Sequence, residues 1–380
     1  MIVRLAEGDV CTGCSACRAA CPRRAIEMKA DAEGFLHPVV DAAHCVGCGA
    51  CARACPVLHP RQRGEIRGVW AAKAVEDAQR RENSSGGVFP LLAKSVLAEG
   101  GVVFGARWEG VGRVVHDAAE SEEGVRAFYS SKYLQSDMGD AFARCRAELA
   151  GGRRVLFTGT PCQISGLKAF LGREYGNLLA VQVICHSVPS PLAWRGYLAS
   201  CARQIGAPVA SANCRDKTHG WKLYEYALNG GTSRCNWIEN PYSTAFMTDL
   251  STRPSCSHCA ARGYRSGADL TIGDFWFIWD LDPEMDDDKG TSVVLAHTER
   301  GEKALETIRP ALTIRPAEYA NALRFNPALE KDAPSSPKRT AFFGRLAAGE
   351  DFPAIVKDLV GEDPLKLRRF VPMLRQKAEG

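Results

Sequence analysis

Eight cysteines within the first 55 residues carry the clearest chemistry in the chain. They fall into two copies of one pattern. Cys11, Cys14, Cys17 and Cys21 precede Pro22, and Cys45, Cys48, Cys51 and Cys55 precede Pro56. Both runs read C-x2-C-x2-C-x3-C-P, the spacing by which bacterial ferredoxins ligate [4Fe–4S] clusters. In that arrangement three neighbouring thiolates hold one cluster and the fourth crosses to the other. The spacing therefore predicts Cys11, Cys14, Cys17 and Cys55 on one cluster, and Cys45, Cys48, Cys51 and Cys21 on the second. Zinc is the alternative, but it prefers paired C-x2-C knuckles, and a third cysteine at the same step followed by C-P does not suit it. Two adjacent clusters make a one-electron wire.

A second set stands further along. Cys162 lies in GTPCQ, Cys185 in ICHS, and Cys256 with Cys259 in RPSCSHC. Cys162 and Cys185 follow strand-like runs, where α/β sheets build their sites. Four thiolates would complete a third [4Fe–4S] cluster, although Cys256 and Cys259 alone equally suit half a zinc site or a redox dithiol. Cys145, Cys201, Cys214 and Cys235 read as small buried apolar residues. Cys214 and Cys235 are the substitutes if one of the four is not a ligand.

Neither a GxGxxG turn after the first strand nor a GxxxxGK[ST] loop is present, so the common dinucleotide and P-loop fingerprints are missing. An electron wire still needs a device that gathers single electrons into pairs, and a flavin is the usual one. The candidate cradle is Asn83-Ser84-Ser85-Gly86-Gly87 ahead of an apolar helix. Glycines let backbone approach a phosphate and a helix N-terminus offers free N–H groups. The same turn also serves as a plain helix cap.

These sites need elements to hold them. The chain has 380 residues, enough for two or three domains. The pattern divides it into a two-[4Fe–4S] ferredoxin domain (1–62), a catalytic domain (63–334) and a C-terminal helical arm (335–380). In the middle part, strand-like runs at 69–75, 102–108, 111–116, 153–159 and 178–185 alternate with helical ones. This predicts an α+β ferredoxin-like module followed by an α/β domain with a largely parallel or mixed sheet. Shorter strands are expected over 209–237, and strands again over 269–276 and 291–297. The acidic stretch 282–290 reads as a solvated turn. The 48 basic and 44 acidic residues nearly balance, which argues against a nucleic-acid partner. The start MIVRLAEGDV lacks the apolar core of a signal peptide, and no run is long enough to span a membrane. Sixteen cysteines without an export signal point to metal ligands in a cytoplasmic protein.

NSSGGVF, SKYLQS (131–136), GTPCQI (159–164), CHSVPSP (185–191), RPSCSHC (253–259), DLTIGDFW (269–276) and KGTSVVLAHT (289–298) occur in this order. In this series the chain resembles the coenzyme F420 hydrogenase/dehydrogenase beta-subunit family over roughly residues 1–350. The resemblance implies an α/β domain binding FAD and one [4Fe–4S] cluster behind a two-cluster module. It implies FAD contacts at Ser84, Ser85, Gly86 and Gly87, at Ser131, Lys132 and Tyr133, and at Thr158, Gly159 and Thr160. It also favours Cys162, Cys185, Cys256 and Cys259 as ligands of the inner cluster. The family commonly reads Cys-His-Gly where this chain has Cys185-His186-Ser187.

Taken together, these features describe an iron–sulfur flavoprotein oxidoreductase. Electrons would pass between ferredoxin-type clusters and FAD, with hydride exchange to a small organic substrate. The electron partner would be reduced ferredoxin or the reduced deazaflavin coenzyme F420. The alternative is an electron-transfer beta subunit with a partner subunit in a larger hydrogenase, dehydrogenase or synthase complex. Lys132 is the candidate cation for the flavin's N1–O2 region, and His186 the candidate proton relay. Lys217, His219 and Lys222 are candidates for the substrate mouth, with solvated surface as the default. Phe275, Trp276, Phe277 and Trp279 would wall the pocket or pack in the core.

Overall fold

The amino-terminal cysteine runs bracket a small hairpin in a computed structural model, which describes residues 4–372 and 374. Strands β1 (Ile26–Ala30) and β2 (Leu36–Val40) pair antiparallel with Ile26 opposite Val40. Asp31 closes their turn, its Oδ1 accepting the N–H groups of Glu33 and Phe35. Two short helical stubs, Ala16–Ala20 and Ala50–Arg53, lie within the cysteine runs. The α+β character expected of this module thus comes from a hairpin whose position the sequence does not mark. Its strands are short, and Pro38 within β2 weakens the strand signal.

The remaining strands are β3 (Gly68–Ala74), β4 (Val102–Glu109), β5 (Arg113–Ala119), β6 (Val155–Gly159), β7 (Leu178–Val183), β8 (Ala212–Asp216), β9 (Glu225–Leu228), β10 (Ser233–Asn236), β11 (Leu270–Asp274), β12 (Ser292–Ala296) and β13 (Leu312–Pro316). Eight of them form one sheet in the order β13-β3-β12-β11-β7-β6-β4-β5. Strands β4, β6, β7 and β11 run parallel in its middle, and antiparallel strands flank them on both sides. The sheet is therefore mixed. A largely parallel sheet fails at the edges for a local reason: Gly110-Val111-Gly112 joins β4 to β5, and so short a link closes only an antiparallel pair.

The central strands are buried on both faces, which is why their sequences read as unbroken apolar runs. Val103, Leu156 and Leu179 pack under the helices Val88–Leu97 and Glu299–Ile308. Their neighbours Val102, Phe104, Phe157 and Leu178 pack under Ala141–Ala150 and Pro161–Leu171. Strands β8 to β10 form a separate antiparallel sheet. An aromatic core of Trp194, Tyr197, Tyr226 and Tyr242 lies behind it. The helices Arg339–Ala347 and Phe352–Val360 of the carboxyl-terminal arm insert Phe342 and Phe352 into that core. Residues 1–3, 373 and 375–380, including the end of that arm, lie outside the described residues. Among the described residues, no helix is long and apolar enough to cross a membrane.

The acidic stretch 282–290 corrects the expectation of a solvated turn. Asp287 accepts two hydrogen bonds from the buried Arg80 guanidinium at 2.8 and 2.7 Å. Asp286 pairs with Lys222 at 2.5 Å. Asp288 Oδ1 accepts the backbone N–H groups of Trp221 and Lys222. The acids are partners of distant cations, a relation that a charge run read in isolation does not reveal.

Candidate functional site

Two cavities in the amino-terminal module are ringed by sulfur. One is lined by Cys11, Cys14, Cys17 and Cys55. The other is lined by Cys21, Cys45, Cys48 and Cys51. The fourth cysteine of each run thus faces the cavity of the other run. Left-handed residues at Ser15 (φ 63°) and Gly49 (φ 72°) start the two helical stubs and turn the preceding loops around the thiols. Backbone N–H groups point at sulfur as well: Gly13 donates to Cys11 Sγ at 3.4 Å and Ala25 to Cys21 Sγ at 3.3 Å. Burial, then the neighbouring Cys11 thiolate, pushes the Cys17 thiol up to about 12. Thiols crowded in this way ionise together only when a cation neutralises them. Among the described residues, no three His, Cys, Asp or Glu side chains close on a point suited to a single metal ion.

The inner cysteines come together at the carboxyl edge of the central strands. Cys162 is in the first turn of the helix Pro161–Leu171, directly after β6. Cys185 follows β7. Cys256 sits in the short 3-10 turn Pro254–His258, and Cys259 immediately after it. The charges of Cys256, Cys162 and Cys259 all act on the Cys185 thiol, which burial raises first. Burial and then Cys259 push Cys162 up to about 11. The Arg262 guanidinium fastens this corner, donating to the carbonyls of Cys185, His186 and Ala328. Cys201 and Cys214 instead lie in the aromatic core, and Cys235 lies on β10 of the small sheet.

Gly166, one turn beyond Cys162, brings the two sulfur-rich regions into contact. A Cβ on Gly166 would stand 3.0 Å from Cys14 Sγ. The charge of Cys162 also acts on Cys14. The first cavity and the inner cysteines are therefore neighbours, and Cys21, Cys45, Cys48 and Cys51 form the outer site.

The residues expected to touch FAD gather along the same edge. Ser84 Oγ and Ser131 Oγ hydrogen-bond each other at 2.8 Å. Ser85 Oγ donates to Thr291 O at 3.0 Å. Gly86 packs so tightly that a Cβ would stand 2.3 Å from Ala72 O. Gly87 (φ 79°) starts the helix Val88–Leu97 without any side chain capping its free N–H groups. Thr158 Oγ1 donates to Phe104 O at 3.0 Å. Thr160 N–H donates to Gln163 Oε1 within a capping box. A Cβ on Gly159 would stand 3.1 Å from the same Gln163 Oε1.

The Lys132 ammonium donates to the carbonyls of Ala127, Tyr129 and Ser130 at 3.0, 2.7 and 3.1 Å. Its geometry makes it the latch of the loop that presents Ser131 and Tyr133. His186 is held by Asp249, with Nε2 3.0 Å from Oδ1, and by an edge contact with Phe246. Lys217 and Lys222 are buried, which corrects the default of solvated surface for this pair. Lys217 Nζ donates to Ser85 O at 3.0 Å and Lys289 O at 2.7 Å. Burial and then the Arg215 charge lower its pKa to about 7. His219 is exposed and pairs with Glu225 at 2.8 Å. Phe275 is core, Trp276 stacks on Trp221 at 5.1 Å, and Phe277 lies half-exposed against Phe325.

Several functional candidates carry no signal in the sequence. Arg215 is buried beside the serine-glycine turn, donating to Ser84 O at 2.6 Å and Asp274 Oδ1 at 2.9 Å. Its Nε has no partner among the described residues. His116 is buried beside β6, where Nε2 donates to Thr158 O at 2.9 Å and Nδ1 accepts from Ser136 Oγ at 2.8 Å. Burial lowers its pKa to about 4. Ser187 Oγ, next to Cys185, is buried with no partner among the described residues. Arg253, in the RPSC segment, is 2% exposed. A lone arginine or histidine has no spacing to read, so only adjacency to the cysteine motif could have drawn attention to Arg253.

Residues 152–320 match the family model for the carboxyl-terminal part of the beta subunit of coenzyme F420 hydrogenase/dehydrogenase. Residues 10–58 match the model of a 4Fe-4S dicluster domain. A comparison with curated proteins returns no match. Among solved structures, the chain is similar to one in the xenon-derivatised F420-reducing [NiFe] hydrogenase complex from Methanosarcina barkeri. That likeness has 17% identity and a TM-score of 0.50, and covers 79% of this chain and 93% of that one. At that identity it shows a shared fold. The chain thus carries a 4Fe-4S dicluster domain at residues 10–58 and, at 152–320, the carboxyl-terminal region of the coenzyme F420 hydrogenase/dehydrogenase beta subunit, which together support that family.

Proposed function

We propose that the chain is an iron–sulfur flavoprotein oxidoreductase that carries electrons between an outer partner and an organic substrate. The observation that carries this reading is the run of three sulfur-lined sites, with Cys14 and Gly166 joining the second to the third. Cys21, Cys45, Cys48 and Cys51 would hold the outer [4Fe–4S] cluster, Cys11, Cys14, Cys17 and Cys55 the middle one, and Cys162, Cys185, Cys256 and Cys259 the inner one. Two runs of four cysteines at the C-x2-C-x2-C-x3-C-P spacing, with the fourth of each facing the other run's cavity, suit clusters better than single zinc ions. The clusters supply one-electron transfer, and FAD supplies the exchange between single electrons and a hydride.

The serine-glycine edge suits the anionic end of a dinucleotide. Arg215, with its unpaired buried Nε, and Lys217 bring positive charge to the turn. The uncapped start of the helix Val88–Leu97 adds free N–H groups. Ser84, Ser85, Gly86, Gly87, Ser131, Lys132, Tyr133, Thr158, Gly159 and Thr160 form the flavin-binding edge in this account. Lys132 positions the loop. His186, oriented by Asp249, is the candidate proton relay beside the inner cysteines.

The fold similarity to a chain in a hydrogenase complex favours a second reading, in which the chain is the electron-transfer beta subunit of such an assembly. One experiment separates them. The pure protein, reduced with dithionite without air, is mixed with candidate oxidants, coenzyme F420 among them. Reoxidation of the visible flavin band supports the self-contained enzyme. Reoxidation only after a partner subunit is added supports the second reading.

A further inference from the structure

We infer that Arg253 is the shared counter-ion of two clusters, binding the middle and inner sites into one electrostatic unit. The inference rests on the cluster assignments proposed above.

Arg253 is among the most completely buried large side chains of the protein. Its Nε donates to the carbonyl of Cys11 at 2.8 Å. One Nη donates to Gln135 Oε1 at 2.9 Å and the other to Leu36 O at 3.0 Å, with His37 Nε2 at 3.3 Å. The ring of Phe35 lies beneath it at 5.2 Å. Every one of these contacts is neutral or a carbonyl. Among the described residues, Arg253 forms no ion pair with an aspartate or glutamate. The contrast with the other buried arginines is plain: Arg80 pairs with Asp77 and Asp287, and Arg215 with Asp274.

A buried guanidinium without an opposite charge is costly, and buried charges are normally paired. The missing charge lies on either side of it. Gly13, within the first cysteine run, approaches so closely that a Cβ there would stand 2.8 Å from Arg253 Nη1. The backbone of Arg253 is three residues before Cys256, and Cys256 N–H donates to Arg253 O at 3.0 Å. The Arg253 charge also acts on the thiols of both Cys162 and Cys256. A cluster held by four thiolates is anionic and gains a further negative charge on reduction. A cation between two such groups stabilises the reduced state of both. None of these Arg253 contacts reaches Cys21, Cys45, Cys48 or Cys51. Arg253 is thus a positioning residue for charge. It ties the amino-terminal module to the α/β domain and raises the potentials of the two clusters flanking it.

The test is a redox titration, followed by low-temperature electron paramagnetic resonance, of the full chain and of the variants Arg253→Met and Arg253→Lys, with iron counted in each. Wild-type protein lacking three clusters would reject the underlying assignment rather than this inference. With three clusters present, Arg253→Met is expected to lower two of the three midpoint potentials and leave the third unchanged. Arg253→Lys, which keeps the charge but loses the fork of hydrogen bonds, is expected to stay close to wild type. Unchanged potentials in Arg253→Met, or a fall in only one, would overturn the inference. If Arg253→Met does not fold, Arg253→Lys decides: a lysine variant with wild-type potentials supports a counter-ion, and one with lowered potentials supports a mere clasp.

Discussion

Cys14 Sγ rests against Gly166, with a Cβ on the glycine falling 3.0 Å from the sulfur and 3.1 Å from Cys14 Cβ. Cys162 lies one turn earlier on the same helix. The absence of a side chain at Gly166 is what lets the amino-terminal module settle this close to the inner cysteines. Gly166→Ala makes Cys14 give way by a few tenths of an ångström, and Gly166→Val cannot be accommodated without separating the two. Overpacking of this kind costs about 1–3 kcal/mol. The valine variant is expected to melt at lower temperature and to lose iron from the cluster held by Cys14, measured as iron per chain.

The crossing of the fourth cysteine makes a prediction that sequence proximity would invert. Cys55 faces the cavity of the first run and Cys21 that of the second. Cys21→Ser should therefore alter the cluster of Cys45, Cys48 and Cys51, and Cys55→Ser that of Cys11, Cys14 and Cys17. Paramagnetic resonance of each reduced variant reads which signal changes. Cys55→Ser should disturb the signal coupled magnetically to the inner cluster, and Cys21→Ser the more remote one.

His116 is held neutral, its pKa lowered from 6.5 to about 4 by burial. Above pH 6.5 folded and unfolded chains are both uncharged at this ring, and its contribution is fully present. As pH falls from 6.5 toward 4 only the unfolded chain takes up the proton, so stability is lost, by up to roughly 3 kcal/mol. Melting temperatures of wild type and His116→Gln across that range check this. The acid-side decline should be shallower in the variant.

Lys217 sits with a pKa near 7, lowered by burial and then by Arg215. An anion bound beside it raises that pKa. On the proposed flavin-binding account, its contribution to flavin affinity is fully present below about 7 and is lost as the pH climbs toward the bound-state pKa. Flavin retained after dialysis should decline on the alkaline side, and Lys217→Met should retain less flavin at neutral pH with a flatter profile.

Arg80 is buried with its charge shared between Asp77 and Asp287. Asp287→Ala leaves Asp77 as the remaining partner, and the loss should destabilise by about 1–3 kcal/mol. Thermal unfolding reads it, with Asp287→Asn expected to lie between the two.

The parts of this protein that repeat or run long are legible in its sequence. The eight amino-terminal cysteines stand out because a ligand set of fixed spacing is written contiguously, and the cavities hold the same two groups of four. The strands β6 and β7 stand out because burial on both faces removes polar residues from them. Pairing at a distance is what stays hidden. The short hairpin from Ile26 to Val40 has little periodicity to show. The antiparallel edges of the sheet depend on which strand returns beside which. Arg80 and Asp287 are 207 residues apart, and nothing local marks them as partners. Arg253 and Cys11, 242 apart, are joined only by the fold.

The central claim is a wire of three clusters ending at a flavin. Protein purified without air should contain about 12 iron atoms and one FAD per chain, the count for three [4Fe–4S] sites and one flavin. About 8 iron atoms and no flavin would remove the inner site and the pairing of electrons, and zinc in place of iron would contradict the wire at its root.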